Sequence, residues 1–322
     1  PAAAAGSPPR KSKPSKTKTL PPPPAEEPSP PADEVPEEEE EGEGGSMRLL
    51  GKRGEVLSVP PAVGGMLFPH QREGLRWLWS LHQRRRGGIL ADDMGLGKTM
   101  QVSGYLAALH HSNLFKRAMV VAPKTLLAHW VKELTVCGLG HLVHSYFGDK
   151  AADKERALRR ASERGGILLT TYGMVLHNAP ALSGRGRGRE RGGDSSDEDA
   201  DDEEDGVFSW DLLILDEGHK VKNPKMKLAE ALRSLRTRQR LIISGTPVQN
   251  NLQEMWALFD FACPGLLGDQ RAFKEEFEKK ITIGQDRNAT PRERVVGAAQ
   301  AQALRERVGP YMIRREKKAV LG

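Results

Sequence analysis

The sequence predicts an α/β fold in which helices cover both faces of a parallel sheet. Five short apolar runs recur along the chain, and each is followed by a segment with apolar residues at helical spacing. Runs without polar alternation are typical of strands that are buried on both faces. Strands that alternate with helices form right-handed βαβ units in a parallel sheet. Polar residues follow every run, so we expect a shared site at the carboxyl ends of the strands.

The expected strands and helices can be given in order. The strands are GGIL (87–90), AMVVA (118–122), GILLTT (166–171), DLLIL (211–215) and RLIIS (240–244). Helical spacing predicts PHQREGLRWLWSL before the first strand, then helices near 100–110, 126–134, 153–161, 228–235 and 252–261. The polar segments after the five strands are ADDMGLGKT, PKT, TY, DEGH and GTPVQN. Five such endings along one edge favour a single functional site.

Two stretches have very few large apolar side chains. Residues 1–46 run from RKSKPSKTK through PPPPAEEPSPP to EEEEEGEGG, and residues 184–206 form the acidic insert GRGRGRERGGDSSDEDADDEEDG. Neither can bury enough surface to offset the entropy of ordering. Both are therefore expected to be disordered, and residues 47–322, apart from this insert, are expected to form one folded domain.

The charge of the folded part favours polyanions as partners. The formal net charge is +6, from 49 Lys and Arg against 43 Asp and Glu. The two polar stretches hold 9 of the basic and 20 of the acidic residues, which leaves a net charge of about +17 elsewhere. Such a field attracts nucleic acid, although a basic surface that only maintains solubility is the alternative.

Composition also argues against several protein classes. The two cysteines, Cys137 and Cys263, match no metal-binding spacing and are expected to be buried thiols of a reducing compartment. No apolar run approaches the roughly 18 residues that span a bilayer, and no signal peptide is visible, so no membrane partner is expected. The basic run at 10–18 is compatible with a nuclear address, as are many such runs.

The segment ILADDMGLGKTMQ (89–101) has the features of a phosphate-binding loop that opens a helix. Gly95, Leu96 and Gly97 would let backbone N–H groups approach a triphosphate, and the helix N-terminus adds positive partial charge. Lys98 is placed to bridge the outer phosphates, and the hydroxyl of Thr99 to bind Mg²⁺. The loop therefore predicts a site for ATP and Mg²⁺.

Two acids precede this loop, and the generic pattern has glycine at the first of them. Asp92 and Asp93 lie at the strand exit, before the backbone turns toward the phosphates. Their side chains are expected to point away from the anion and to hydrogen-bond the loop. The alternative is a pair of acids on a solvated turn.

The fourth strand ends in a second acidic pair, which suits metal-assisted hydrolysis. Asp216 after a buried strand is expected to bind Mg²⁺, and Glu217 to orient or deprotonate a water. His219 is expected to link this site to a neighbouring element, although a lone histidine more often serves packing.

The fifth strand is followed by small hydroxyl and amide side chains in SGTPVQNN (244–251). Ser244, Thr246 and Gln249 are expected to report the nucleotide state to another surface. The alternative, compatible with the first, is a turn in which Asn250 or Asn251 caps the next helix.

The remaining candidates are individually weak. An amide at Gln71 suits the edge of an adenine. Hydroxyls, lysines and helix N-termini at other strand exits suit a phosphodiester backbone without sequence readout. These candidate DNA contacts are Lys124, Thr125, Thr170, Thr171 and Tyr172.

Taken together, seven ordered stretches resemble the Swi/Snf-type ATPases of helicase superfamily two. They are FPHQREGLRWL, GGILADDMGLGKTMQ, VVAPKTLLAHWVKE, LLTTYGMV, WDLLILDEGHKVKN, LIISGTPVQNNLQEMWALFDF and PYMIRREK. The resemblance runs from about residue 67 to 321. Within the family, the chain is most similar to the excision-repair branch, which includes the Cockayne syndrome group B protein and PICH.

The resemblance implies a RecA-like P-loop domain, the first lobe of a nuclear, ATP-driven translocase on double-stranded DNA that remodels chromatin or clears DNA of protein. It implies nucleosomes or histones as further partners. It assigns Gln71 to adenine, Lys98 and Thr99 to phosphates and Mg²⁺, Asp216 to Mg²⁺ and Glu217 to water.

Two departures qualify the resemblance. Gly218 replaces the family's usual alanine, which is expected to loosen the backbone by roughly 0.5–1 kcal/mol. The family's second lobe, with its arginine fingers, is not in this chain, so weak hydrolysis by this lobe alone is expected. A nucleotide-gated scaffold without productive hydrolysis and a metabolic P-loop kinase are the competing hypotheses.

Overall fold

The computed structural model describes residues 39–42, 46–184, 208–224, 226–245 and 251–321. Almost all of the expected N-terminal tail and acidic insert, together with Thr246 and Gln249, lies outside these ranges. The strands are β1 (Glu39–Gly42), β2 (Ser46–Leu50), β3 (Val56–Val59), β4 (Gly88–Leu90), β5 (Arg117–Val121), β6 (Val143–Tyr146), β7 (Gly166–Thr170), β8 (Trp210–Asp216), β9 (Thr237–Ile243) and β10 (Met312–Ile313).

Seven of the strands in the described residues form one parallel sheet in the order β10-β4-β9-β8-β5-β7-β6. The register aligns the carboxyl ends of the five central strands. Ile243 pairs with both Leu90 and Asp216, and Val121 pairs with both Leu215 and Thr170. The residues that follow these strands therefore meet along one edge, as the sequence predicts.

The helices of the described residues flank this sheet. They are α1 (Pro61–Gly64), α2 (Pro69–Gln83), α3 (Lys98–His111), α4 (Leu127–Val136), α5 (Ala151–Arg164), α6 (Tyr172–Leu182), α7 (Lys227–Ser234), α8 (Leu252–Ala262), α9 (Gln270–Phe273), α10 (Lys279–Gln285), α11 (Pro291–Val308) and α12 (Lys317–Leu321). None of these helices is long and apolar enough to cross a membrane.

The expected α/β class is confirmed, with all five predicted strands and all six predicted helices in place. Strands β5, β7 and β8 are buried on nearly every residue, which is why their sequences lack alternation. By contrast, β3 alternates between buried and partly exposed residues, because it belongs to a small antiparallel sheet, β1-β2-β3, with one covered face.

The sequence prediction missed β1, β2, β3, β6, β10 and several helices. Strand β10 has only two residues, and it returns from the end of the chain to pair with β4 in parallel. Helix α11 begins with a capping box between Thr290 and Glu293, and it packs so closely on α10 that a methyl group on Gly284 would meet the Cα of Gly297 at 2.8 Å. The return of β10 brings the segment after it to the phosphate-loop edge.

Candidate nucleotide site

The loop between β4 and α3 has the backbone of an anion cradle. Gly95 and Gly97 have φ angles of +92° and +71°, a region that glycine enters without steric cost. Helix α3 starts immediately afterwards, and the N–H of Gln101 closes its first turn on the carbonyl oxygen of Gly97 at 3.0 Å. The N–H groups at the start of a helix have no partner within it and carry positive partial charge. The loop can therefore present several donors to one anion.

Lys98 connects this loop to the neighbouring strand ends. Its Nζ donates to the backbone oxygens of Asp92 at 2.6 Å and Asp93 at 3.1 Å, which leaves one of its three N–H groups for a ligand. Burial lowers the pKa of Lys98, and the carboxylates of Asp92, Glu217, Asp216 and Asp93 oppose this shift. The carboxylates at the end of β8 are therefore close enough for their charges to act on the ammonium of Lys98.

Asp92 is fully buried, at 0 % exposure, and is enclosed by donors. Its Oδ1 accepts from the backbone N–H and the Nε of Arg315, both at 3.0 Å, and its Oδ2 accepts from the Nη2 of Arg315 at 2.5 Å and from Gln101 at 3.1 Å. Asp93 accepts from the backbone N–H of Lys317 at 3.0 Å. The acids shape the loop, as expected, by fixing the segment after β10 against it, and the solvated-turn alternative is wrong for Asp92.

Asp216 is also buried, at 6 % exposure, but its donors are neutral. Its Oδ2 accepts from the indole N–H of Trp130 at 2.8 Å, and its Oδ1 from the backbone N–H of Glu217 at 2.9 Å. Tyr172 donates its hydroxyl to the backbone oxygen of Asp216 at 2.6 Å. Burial raises the pKa of Asp216, the Trp130 hydrogen bond lowers it, and the charge of Glu217 raises it.

Within the residues that the structure describes, no cationic side chain forms an ion pair with Asp216. Neutral hydrogen bonds orient a carboxylate without cancelling its charge. A buried, oriented and electrically uncompensated carboxylate is suited to a hard cation such as Mg²⁺.

Glu217 has a left-handed backbone conformation, with φ +53° and ψ +47°, which is unusual for a residue other than glycine. Such strain often accompanies functional sites. Its Oε2 lies 3.2 Å from the Nδ1 of His219, and the side chain remains partly exposed. The partial exposure leaves the carboxylate accessible to water.

Gly218 lies in a tightly packed part of this turn. It is buried, and a methyl group added there would meet the Cγ2 of Ile242 at 2.5 Å. Ile242 belongs to the neighbouring strand β9 and is itself fully buried. Alanine would fit here only if Ile242 moved, so close packing favours glycine, and the expected loosening of the backbone stays a prediction.

The end of β9 approaches the loop from the other side. Ser244 is buried and donates its backbone N–H to the oxygen of Leu90 at 3.1 Å. A methyl group on Gly245 would lie 3.6 Å from the Nζ of Lys98. Asn251 caps α8 by accepting from two backbone N–H groups, so the capping alternative is confirmed for this residue.

With this geometry established, comparison with known proteins identifies the family. The SNF2-related domain family matches residues 70–322. The chain belongs to this family. It is 51 % identical to Protein CHROMATIN REMODELING 24 of Arabidopsis thaliana over 265 residues, which is 82 % of this chain and 23 % of the relative. It is 40 % identical to the human DNA excision repair protein ERCC-6-like over 256 residues, 79 % of this chain and 19 % of that protein.

The Sulfolobus solfataricus SWI2/SNF2 ATPase core, solved in complex with dsDNA, has the same fold. It matches with a TM-score of 0.60 and 26 % identity over 79 % of this chain and 46 % of that one. The chain spans about a quarter or less of the curated relatives described above. The predicted resemblance to the first lobe of a Swi/Snf-type ATPase is confirmed, and the RecA-like fold with it.

Several predicted site residues make contacts inside this SNF2 lobe that the sequence did not predict. Gln71 is 4 % exposed, its amide oxygen accepts from the N–H of Phe68 at 3.0 Å, and its amide nitrogen donates to the oxygen of Leu96 at 3.4 Å. It also occupies the space beside Gly97 that a side chain would need. In this conformation Gln71 supports the phosphate loop, and its assignment to an adenine stays a prediction.

The candidate DNA contacts divide into two groups. Lys124 and Thr125 are exposed in the turn after β5, and Thr171 caps α6 by accepting from the N–H of Met174 at 3.2 Å. Thr170 is fully buried and donates to the oxygen of Tyr146 at 2.8 Å, and Tyr172 is 6 % exposed. Both hydroxyls donate to backbone oxygens in the interior, and the expected contacts of Thr170 and Tyr172 with DNA stay predictions.

Three functional roles stay predictions. Thr99 is the second residue of α3 and is partly exposed, in a position compatible with a metal ligand. His219 and Ser244 lie beside the site, whereas Thr246 and Gln249 lie outside the described residues. Their role in reporting the nucleotide state to another surface stays a prediction.

Sequence reasoning assigned no role to Trp130 and Arg315, which make the principal contacts to the two aspartates. Trp130 lies at helical spacing between Leu127 and Leu134, so it is indistinguishable from an ordinary core residue. Arg315 follows Asp92 by more than 220 positions, and only the pairing of β10 with β4 brings it near. Long-range pairing of this kind has no local signal.

Proposed function

We propose that this chain is the N-terminal ATPase lobe of an ATP-dependent translocase on double-stranded DNA, which remodels chromatin or clears DNA of protein in the nucleus. The observation that carries the proposal is the arrangement of Lys98 and the α3 N-terminus across from the uncompensated carboxylate of Asp216. The dsDNA complex of the Sulfolobus relative and the chromatin and repair relatives support the choice of substrate.

The donor set fits MgATP. The glycine loop, the helix N-terminus and Lys98 suit the phosphates, and the oxygens of Asp216 and Thr99 suit Mg²⁺, which prefers hard oxygen ligands. When bound, the metal supplies neutralisation of phosphate charge. Glu217 would orient a water and accept its proton, with His219 holding the carboxylate in place at 3.2 Å.

For DNA, the proposal relies on charge and on exposed groups. The excess of about 17 positive charges outside residues 1–46 and 184–206 favours a polyanion, and its contacts are expected to be salt-dependent. Lys124 and Thr125 are exposed, and Thr171 and the N-terminus of α6 lie at the same edge. We infer contacts to the DNA backbone without sequence readout, with nucleosomes as a further substrate.

This lobe alone is proposed to bind nucleotide and to hydrolyse it slowly. In related chemistry an arginine finger from a second element contributes about 10³–10⁵ in rate. DNA-stimulated turnover by this chain alone, at a rate typical of two-lobe motors, would contradict that part of the proposal.

The first test is calorimetric titration of the chain with MgATP. Lys98→Ala is expected to weaken binding by at least about tenfold, because it removes the cation nearest the phosphates. Lys132→Ala changes an exposed lysine on α4 and is the matched control. Equal affinity of the wild type and Lys98→Ala would refute a nucleotide site at this loop.

The second test is Glu217→Gln in a two-lobe protein that contains this lobe. The translocase proposal requires loss of DNA-stimulated hydrolysis with retained MgATP binding, because only the base is removed. Retained DNA clearance by this variant would favour the nucleotide-gated scaffold.

A further inference from the structure

Two buried aromatic side chains hold Asp216 from different directions. The indole of Trp130, on α4, donates to the carboxylate at 2.8 Å, and the phenol of Tyr172, at the start of α6, donates to the backbone oxygen at 2.6 Å. Neither residue is a conventional metal ligand or proton carrier at this strand end. Burial raises the pKa of Tyr172 well above its ordinary value, so its hydroxyl remains a donor at neutral pH.

Both aromatics belong to helices that begin at the candidate DNA edge, where Lys124 and Thr125 before α4 are exposed and Thr171 before α6 is partly exposed. Helix α4 follows the short 3₁₀ turn Lys124–Leu126, and Trp130 lies about one and a half turns further along. Helix α6 starts at Tyr172 itself, directly after the Thr171 cap. A displacement of either helix start would therefore reach a hydrogen bond on Asp216 through a single helix.

Tyr172 has a further contact, made by Lys220. The Nζ of Lys220, in the turn after β8, lies 4.7 Å from the centre of the Tyr172 ring. The turn that carries Glu217 and Gly218 is thus tied to α6 at two points, the ring face and the phenol hydroxyl. Hydrogen bonds in such a buried setting are sensitive to small changes of geometry, since no water can replace a lost donor.

We propose that Trp130 and Tyr172 are positioning residues that couple DNA contact at the starts of α4 and α6 to the orientation of the Asp216 carboxylate. The proposal rests on the proposed function, since it needs both ligands to bind. Coupling between two sites is reciprocal, so MgADP must change the affinity for DNA by the factor by which DNA changes the affinity for MgADP.

The structure supplies matched controls. Trp79 is fully buried and donates its indole N–H to the oxygen of Leu50 at 3.4 Å, far from strand β8 in sequence and on a different helix. Tyr105 is fully buried in α3, and its hydroxyl has no hydrogen-bond partner among the described residues. Trp79→Phe and Tyr105→Phe therefore repeat the chemical changes of Trp130→Phe and Tyr172→Phe without touching Asp216.

The experiment measures binding by the full chain in a four-way design. The Kd for a fluorescent DNA duplex is measured with and without MgADP, and the Kd for ADP with Mg²⁺ and with EDTA. MgADP changes the Kd for DNA by a certain factor in the wild type. In Trp130→Phe and in Tyr172→Phe this factor is expected to be at least threefold nearer to 1. Both variants are expected to weaken MgADP binding about three- to tenfold while leaving metal-free ADP binding within twofold.

A purely structural role would lower both nucleotide affinities together, as the control variants would if they destabilised the fold. Wild-type coupling and wild-type Mg²⁺ dependence in both Trp130→Phe and Tyr172→Phe, with DNA and MgADP still bound, would overturn the inference. Failure of the wild type to bind MgADP would instead refute the proposed function, and the inference with it.

A measurement on the wild type guards against variants that do not fold. The chain has five tryptophans, so five indole N–H signals are expected in a ¹⁵N-labelled sample. Addition of DNA without nucleotide is expected to shift the Trp130 signal and to leave the Trp79 signal in place. A Trp130 signal that DNA saturation leaves unmoved would contradict the coupling.

Discussion

Asp92 and Asp216 stand at the ends of β4 and β8, on either side of β9, and both are buried, yet their partners differ in charge. Asp92 is paired with the guanidinium of Arg315, whose side chain is 12 % exposed. Asp216 receives only the neutral donors of Trp130 and of the Glu217 backbone. The first carboxylate is neutralised by the protein, and the second retains a charge that a bound cation can neutralise.

The difference explains how one residue type does two jobs at one edge. A carboxylate paired with arginine cannot give its charge to a metal without leaving the arginine unpaired, so Asp92 fixes the backbone of the loop. Asp216 is oriented without being neutralised, and burial raises its pKa. Because its folded pKa exceeds the unfolded value, Asp216 favours folding below the unfolded pKa and loses that contribution as pH rises through the folded pKa.

The largest expected effect comes from breaking the ion pair between Arg315 and Asp92. Arg315→Ala leaves the buried carboxylate of Asp92 without its cation, and breaking such a pair costs about 3–5 kcal/mol of the free energy of unfolding. Denaturant unfolding monitored by circular dichroism measures it. The control is Arg156→Ala, which removes an exposed pair with Asp153 at 3.6 Å and should cost less than about 1 kcal/mol. Equal losses of unfolding free energy in the two variants would show that the Arg315–Asp92 pair stabilises the fold no more than an exposed pair does.

The two aspartates should respond differently to the same isosteric change. Asp92→Asn removes the charge opposite Arg315 and is expected to cost about 3 kcal/mol of stability. Asp216→Asn relieves a buried uncompensated charge but leaves one of two donors without an acceptor, so its net effect should stay within about 1 kcal/mol. Comparison of the two unfolding curves at pH 7 checks this. A larger loss for Asp216→Asn would reverse the assignment of roles.

Ligand binding should sharpen the contrast further. At a concentration 100 times its Kd, MgADP is expected to raise the wild-type stability by about 2.7 kcal/mol, which is roughly 5–10 °C in Tm. Asp216→Asn should lose the Mg²⁺-dependent part of this shift and retain the part seen in EDTA. Scanning fluorimetry with and without EDTA measures both parts. A full Mg²⁺-dependent shift in this variant would exclude Asp216 as the metal ligand.

The sequence predicted the charged loop and the acidic strand end because both are local signals. Lys98 and Thr99 follow a glycine loop, and Asp216 follows a buried strand, so composition and spacing reveal them. It could not predict what holds the two aspartates. Arg315 reaches Asp92 only through the β10–β4 pairing, and Trp130 reaches Asp216 from a helix in which it looks like core.

The same reasoning applies to the burial of two predicted site residues. Thr170 and Tyr172 lie at a strand exit, where polar side chains are usually available to a ligand, but whether a side chain points outward depends on its neighbours. Here the neighbouring strand β6 offers the Tyr146 oxygen to Thr170, and β8 offers the Asp216 oxygen to Tyr172. Burial of this kind is a tertiary property, and alternation within one short strand does not reveal it.

The smallest expected effect concerns the two thiols, one of which lies beside the start of β4 and the other beside α3 and the end of α4. Cys263 donates to the oxygen of Gly87 at 3.1 Å, just before β4, and Cys137 ends α4, the helix of Trp130. Burial raises the pKa of each thiol to about 12. At pH 8 only about one thiol in ten thousand is then ionised, so native labelling by a disulfide reagent should be slow and should require local opening.

If the Arg315–Asp92 ion pair stabilises only the phosphate loop, Arg315→Ala should accelerate labelling of Cys263 several-fold more than that of Cys137. Trp130→Phe should do the reverse. Mass spectrometry of the labelled peptides under native conditions distinguishes the two sites. Equal acceleration of labelling at both thiols in both variants would mean that the phosphate loop and the acidic strand end open as one unit. The different chemistry of the two aspartates would then reflect metal binding alone, without separate stabilities for the loop and for the acidic strand end.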